Sequence, residues 1–153
     1  MRPEDTIDVN IKTLWHSMVK MYNEEAAKFG STMATAHLLL NIDVDGGTPS
    51  TQLGPRMGME STSLSRMLKG MEERGLIHRV KNPDDGRGVF ITLTDLGMEM
   101  RAISRDVVVS FNEQVAQLLS PHQLKQFINT CGRINEWIQT KKIQLNEYTQ
   151  TDS

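Results

Sequence analysis

Residues 60–94 read ESTSLSRMLKGMEERGLIHRVKNPDDGRGVFITLT, and this stretch decides the fold. In its first half, leucine and methionine recur at steps of three and four, which predicts the buried stripe of an amphipathic helix. That stripe is Leu64, Met67, Leu68 and Met71. Gly75 ends the helix, and two strand-like runs follow at residues 76–81 and 89–93, joined by a loop rich in Pro, Asp and Gly. The stretch therefore predicts a helix followed by a β-hairpin.

The face of this helix opposite the stripe carries short hydroxyl side chains and two cations. Serine and threonine can bond phosphates or base edges, arginine can grip guanine with two hydrogen bonds, and the N–H groups of the first turn attract anions. Such a face predicts contact with nucleic acid, although a merely solvated helix face would also be polar. The residues concerned are Thr62, Ser65, Arg66 and Lys69, with Ser61 and Ser63 beside the first turn.

The helices predicted before residues 60–94 complete an order of elements that is typical of one fold. Helical periodicity predicts a long first helix over residues 7–29 and a second, nearly all apolar helix over residues 33–43, followed by a Gly-rich turn. Thr48 is then expected to be the N-cap, and Pro49 the first residue, of a short third helix that is punctuated by Gly54, Pro55 and Gly58. A short helix, a tight break, a polar-faced helix and a hairpin make a winged helix-turn-helix, so the expected fold is mainly α with a small β-hairpin wing.

Two further helices follow the hairpin. Thr94 caps a long fifth helix, and residues 120–123, Ser-Pro-His-Gln, form a capping box that starts a sixth. The apolar stripes of the first, fifth and sixth helices are too wide for the small winged domain to cover, which predicts a homodimer rather than a self-covered monomer. The expected organisation is a helical dimerisation region over residues 1–30 and 95–146, a DNA-binding domain over 31–94, and a flexible tail over 147–153.

The central stretch resembles the MarR family of bacterial regulators. The family's Leu-x-x-x-Gly-Leu-hydrophobic-x-Arg phrase is matched by residues 71–79, with Met71 in the first leucine position. Its Asp-x-Arg wing is matched by residues 85–87, and its Leu-Thr-x-x-Gly helix start by residues 93–97. The resemblance implies that the polar face described above meets DNA, that Arg87 reaches the minor groove, and that Asp85 orients a nearby arginine.

One position departs from the family pattern. Pro55 lies inside the first helix of the motif, where proline removes a backbone hydrogen bond, and this predicts a shortened or kinked helix. The phosphate contacts implied for that helix, by Ser50, Thr51 and Gln52, are accordingly left open.

The resemblance also implies a small effector, often an aromatic acid, bound between the dimer helices and the winged domain. Its binding would release a repressor from a pseudo-palindromic operator by shifting the population of conformations. An ordinary hydrophobic core would also place aromatic, methionine and histidine side chains at helical spacing, so the following residues have that alternative interpretation. The candidate ligand-binding residues are Trp15, His16, Met18, Tyr22 and His37. Thiol sensing is disfavoured because the single cysteine, Cys131, lies on the last helix.

The charge distribution and the motifs that the sequence lacks exclude several classes of protein. The net charge is −2, but residues 56–93 carry seven Lys/Arg against five Asp/Glu, so the positive excess coincides with the predicted DNA-binding segment. There is no apolar run long enough for a membrane span, no secretory signal, no nucleotide-binding glycine loop and no metal-ligand or catalytic motif. We therefore expect a cytoplasmic regulator without a cofactor, not an enzyme. The rival interpretation is a winged-helix protein-interaction module without DNA readout.

Overall fold

The structure, a computed structural model, describes residues 2–81 and 88–149. The chain divides into two compact units, Met1–Val108 and Val109–Ser153. The described residues form a short 3-10 helix, Pro3–Asp5, followed by six α-helices and three strands. The helices are α1 Ile7–Ala27, α2 Met33–Asn41, α3 Ser50–Met57, α4 Ser61–Glu73, α5 Asp95–Leu118 and α6 Pro121–Thr149; the strands are β1 Thr48–Pro49, β2 Ile77–Lys81 and β3 Val89–Leu93.

The three strands form one antiparallel sheet in the order β1-β3-β2. The expected hairpin is present, with Ile77 opposite Leu93 and Lys81 opposite Val89. The expectation that Thr48-Pro49 starts α3 is wrong, because these two residues pair with β3 as a third strand, Thr48 lying opposite Ile91. Mainly helical architecture with a small sheet is confirmed.

Thr48 cannot cap α3 because its hydroxyl is engaged elsewhere. Its Oγ1 accepts a hydrogen bond from the Asp43 backbone N–H (2.8 Å) and donates one to Asp43 Oδ2 (3.0 Å). Gly47 precedes it with φ +77°, and a Cβ there would lie 2.6 Å from the Ile91 carbonyl oxygen. The left-handed turn at Gly47 thus brings the chain close to β3, and α3 begins one residue later than expected, at Ser50.

The core of the winged-helix segment lies between α2, α3, α4 and the sheet. Leu38 and Leu39 of α2 are completely buried, as the apolar character of that helix predicted, and Leu53 of α3 is completely buried as well. Each such side chain stabilises the fold by about 1.5–3 kcal/mol relative to an exposed one. The remaining core residues are Ile42, Leu64, Leu68, Met71, Leu76, Ile77 and Ile91.

Pro55 does not end α3, because the helix continues through it for two more residues. Met57 is the last helical residue, and Gly58, which follows it, adopts the left-handed conformation with φ 62°. The Met59 N–H then donates to the Gly54 carbonyl (3.0 Å), closing the helix in the manner of a glycine C-cap. Gly58, and not Pro55, therefore sets the break between α3 and α4.

The start of α5 is tied to the end of α4 by Thr94. Its Oγ1 accepts from the Gly97 N–H (2.9 Å), as predicted for the cap, and donates to the Gly75 carbonyl (2.6 Å). The Thr94 N–H donates to the Leu76 carbonyl (3.1 Å). The backbone at Gly97 lies so close to Leu76, the residue before β2, that a Cβ at Gly97 would clash with the Leu76 carbonyl oxygen.

This close approach gives a stability prediction. We expect Gly97→Ala to lower the free energy of unfolding by about 1–3 kcal/mol, because the methyl group forces α5 away from the sheet. Gly70→Ala on α4 is the matched control, since a Cβ there meets nothing within 4 Å. Urea unfolding of both variants is the measurement. Equal stability of the two variants would contradict the packing described here.

In the second unit, α6 begins at the predicted capping box. The Ser120 N–H donates to Gln123 Oε1 (2.8 Å), and the Gln123 N–H donates to Ser120 Oγ (3.2 Å). The helix runs to Thr149, three residues beyond the expected boundary at residue 146, and residues 150–153 lie outside the described part. Across the described residues, no helix combines the length and apolar character that crossing a membrane requires.

Candidate nucleic-acid interface and ligand cavity

Helix α4 presents the polar face that the sequence predicted. Leu64, Leu68 and Met71 are 6%, 4% and 2% exposed, and Met67 packs against the core from the side, so the predicted stripe is confirmed. The stripe fixes the rotation of α4 on the rest of the domain, which leaves the opposite side outward. The structure brings together on that exposed side Ser61, Thr62, Ser63, Ser65, Arg66 and Lys69.

Within residues 56–93, three arginines bond to other parts of the chain, unlike the cations of the α4 face. Arg56 donates to the Asn41 carbonyl (2.9 Å) and to Gln52 Oε1 (3.0 Å), and Arg74 donates to the Gly30 carbonyl (2.7 Å). Arg79 pairs with Glu72 at 3.2 Å between Nε and Oε2. These three arginines join secondary-structure elements to each other. Sequence reasoning did not separate them from the cations of the α4 face.

The cations of the α4 face remain open to a partner. Arg66 makes no ion pair with any residue in the described ranges, and Lys69 lies only at the 4.0 Å limit from Glu73 on the exposed surface. At the N-terminus of α4, the Glu60 side chain makes no capping hydrogen bond. The first-turn N–H groups are therefore available to an anion, next to three exposed hydroxyl side chains.

The other predicted interface residues lie either outside the described residues or on α3. Asp85 and Arg87 lie outside the described residues. On α3, Thr51 and Gln52 are exposed and Ser50 is half-buried, while Gln52 is engaged by Arg56. Lys81, at the end of β2, is also exposed.

A cavity of about 390 Å³ lies within the first unit, between α1, α2 and α5. Of the five residues predicted to bind a ligand, Trp15, Tyr22 and His37 line the cavity, whereas His16 and Met18 do not. The other lining residues were missed: Glu25, Ala26, Phe29, Ser31, Met33, Ala36, Leu40, Asn41, Met100, Ile103, Ser104, Val107 and Val108. Those on α5 stand at least 59 residues from α2 in the sequence (Asn41 to Met100), so local periodicity could not associate them.

The cavity wall is mostly apolar with a few polar groups. Ser31 Oγ is buried and has no hydrogen-bond partner within the described residues. Ser104 Oγ donates to the Met100 carbonyl (2.7 Å), which uses its one donor and leaves the oxygen able only to accept a hydrogen bond from a ligand. Burial raises the pKa of the Tyr22 phenol above its ordinary value, so this hydroxyl stays protonated at neutral pH. Apolar walls with a few placed polar groups are typical of small-molecule sites.

A metal site receives no support from the described residues. They contain no group of three or more His, Cys, Asp or Glu side chains able to hold an ion. Cys131 is exposed on α6 and stands alone.

Comparison with known proteins places this geometry in a family. Residues 31–89 match the MarR family profile. The HTH-type transcriptional regulator SarZ of Staphylococcus saprophyticus is 28% identical over 117 residues, 73% of this chain and 80% of that protein. The transcriptional regulator PcaV from Streptomyces coelicolor, crystallised with its natural ligand, has a TM-score of 0.76 at 18% identity, covering 89% of this chain and 96% of PcaV. The S. aureus MepR–DNA complex gives 0.78 at 18%, covering 86% and 97%.

Proposed function

This chain belongs to the MarR family of transcriptional regulators, and from that premise we propose that it is a homodimeric repressor that reads double-stranded DNA. Its relatives are transcriptional regulators, and we propose that this chain likewise acts by binding, without catalysis or a cofactor. A regulator of this kind works in the cytoplasm, where bacterial DNA lies.

The exposed face of α4 is the single observation that carries the proposal. The helix is held by α3 and the sheet, its buried stripe prevents rotation, and its outward side carries hydroxyls and two cations. In a winged helix-turn-helix this second helix enters the major groove. Thr62, Ser65 and Arg66 then face base edges, while Lys69 and the first-turn residues Ser61 and Ser63 face phosphates.

Dimerisation is supported by apolar side chains that each unit leaves exposed. In the first unit, α1 exposes Ile7, Ile11, Leu14 and Trp15 at about half or more of their area. In the second unit, α6 exposes Phe127, Ile128, Trp137 and Ile138. Apolar surface on this scale marks an association site, and a two-fold dimer matches a two-fold operator.

The cavity supports control by a small molecule. It lies where α1 and α5 of the proposed dimerisation region meet α2, which leads into the helix-turn-helix. A ligand that fits one spacing of the two DNA-binding domains better than another shifts the population toward that spacing. We propose that binding in the cavity lowers affinity for DNA.

The rival function, a winged-helix module that binds protein, has less support. A protein-binding face needs exposed apolar anchors. In the described structure, no residue of α4 is both large and apolar and exposed. Hydroxyls and cations suit a phosphate backbone better.

Selection of bound fragments from a pool of random double-stranded DNA tests the proposal. We expect an enriched inverted repeat whose half-sites are about one helical turn, 10–10.5 base pairs, apart. Enrichment of no sequence at moderate salt, with folded protein, would favour the protein-binding module.

The segment between β2 and β3 carries a further prediction from the sequence. Arg87→Ala should leave the fold intact and reduce the slope of log affinity against log salt by about one unit, because one cation near the DNA backbone is lost. Lys125→Ala, an exposed cation on α6, is the control and should leave the slope unchanged. Titration of the selected DNA at several salt concentrations is the measurement, and identical slopes for Arg87→Ala and wild type would refute a role for Arg87.

A further inference from the structure

The charges around the cavity are unevenly distributed. Among its lining residues, the ionisable groups are Tyr22, Glu25 and His37, and none is lysine or arginine. The Glu25 side chain is 36% exposed, and its two carboxylate oxygens lie 2.7 and 2.8 Å from Lys28 Nζ. Lys28 is outside the lining set and 61% exposed, so the only carboxylate in the cavity wall is neutralised from the solvent side.

This distribution disfavours an anionic ligand. An organic carboxylate entering an apolar cavity loses its hydration, and an unpaired charge in such a place is costly. Here it would also approach the Glu25 carboxylate. The lining offers it the imidazole of His37 and the hydroxyls of Ser31 and Tyr22, but no permanent positive charge.

The same wall suits a cation that carries aromatic rings. Trp15, Tyr22 and Phe29 all contribute to the lining, and the faces of such rings attract ammonium groups. The buried Ser31 Oγ, which lacks a partner among the described residues, can accept a hydrogen bond from an N–H donor. Exchange of Lys28 for a ligand ammonium at Glu25 costs little, because an exposed ion pair contributes little stability.

We propose, building on the function proposed above, that the cavity binds an aromatic organic cation and that Glu25 selects its charge. The ligand ammonium replaces Lys28 Nζ at the Glu25 carboxylate, and the ring system occupies the apolar space between α1, α2 and α5. A volume of about 390 Å³ is within the range of small-molecule sites. The aromatic acid that the family resemblance implied is disfavoured for this chain.

Three probes with one ring system test the charge preference: naphthylmethylamine, naphthylmethanol and naphthoic acid. Calorimetric titration of the full-length wild-type protein gives each affinity. We expect the amine to bind about tenfold or more tightly than the acid, since a hydrogen bond to a charged group contributes about that factor, with the alcohol between them. Equal affinities, tighter binding of the acid, or no binding of any probe would overturn the proposal.

Three substitutions then identify the group responsible. Glu25→Gln should weaken the amine about tenfold and leave the alcohol unchanged, whereas Lys28→Gln should strengthen the amine, because the carboxylate loses its internal partner. Glu24→Gln, which removes the same charge from an exposed neighbouring side chain outside the cavity lining, is the control and should preserve the preference for the amine over the acid. Thermal unfolding checks that each variant is folded. An unchanged preference in folded Glu25→Gln would show that Glu25 does not select charge.

This inference and the proposed function can fail separately. Protein that binds the selected DNA but shows no preference for the amine refutes the inference and leaves the regulator intact. Protein that prefers the amine through Glu25 but enriches no DNA sequence refutes the proposed function and leaves the charge-selective cavity.

Discussion

Replacing Arg66 with alanine is expected to weaken binding to the selected DNA by about 1–3 kcal/mol and to relax base preference at one position of each half-site. Arg66 is exposed on the outward face of α4 and forms no ion pair within the described residues, so no internal interaction is lost with its guanidinium. A bidentate contact to guanine explains both effects, because it supplies affinity and discrimination together.

Lys69→Ala is the matched comparison on the same face. Lys69 is one turn closer to the C-terminus of α4, and its exposed contact with Glu73 at 4.0 Å contributes little stability. As a phosphate contact it should lower affinity for all sequences alike and reduce the salt slope by about one unit.

The measurement is a binding series over single-base variants of the selected site with wild type and both substitutions. Circular dichroism and sedimentation confirm that each protein is folded and has an unchanged mass. If Arg66→Ala binds every variant as tightly as wild type does, α4 does not read the bases.

The second large effect is expected from a charge placed on the apolar face of α6. Phe127 is 52% exposed in the single chain and is not part of the buried core, so Phe127→Glu leaves that core intact. In the proposed dimer the new carboxylate is buried in the interface and occurs once in each chain. We expect the sedimentation mass at micromolar concentration to fall from twice the chain mass to 17.3 kDa.

Loss of the dimer should also reduce DNA affinity by about a hundredfold or more, because the two half-sites are then no longer bound by linked domains. Gln126→Glu adds the same charge at the neighbouring exposed position and is the control. It should keep both the dimer mass and the affinity. A dimer of unchanged mass in Phe127→Glu would place the interface elsewhere.

The sequence by itself determined the elements whose signals are local. The stripe that begins at Leu64 predicted both the helix α4 and its outward face, because helical periodicity relates residues three and four apart. The capping box at Ser120 predicted the start of α6, since both of its hydrogen bonds join residues three positions apart. The strand limits of the hairpin were predicted to within one residue by the loop composition between them.

Only the tertiary structure decided what depends on residues far apart in the chain. Thr48 lies in a strand because β3, more than forty residues later, pairs with its backbone. Its hydroxyl is not available to cap α3, because it is hydrogen-bonded to Asp43. Arg74 donates to the Gly30 carbonyl, 44 residues away, and no sequence periodicity distinguishes it from the exposed cations of the α4 face. The cavity joins α1 and α2 to α5, so the charge of its wall emerges only after folding brings those helices together. Periodicity and caps act within a few residues, whereas strand pairing, ion pairs and cavities are set by which distant segments come into contact.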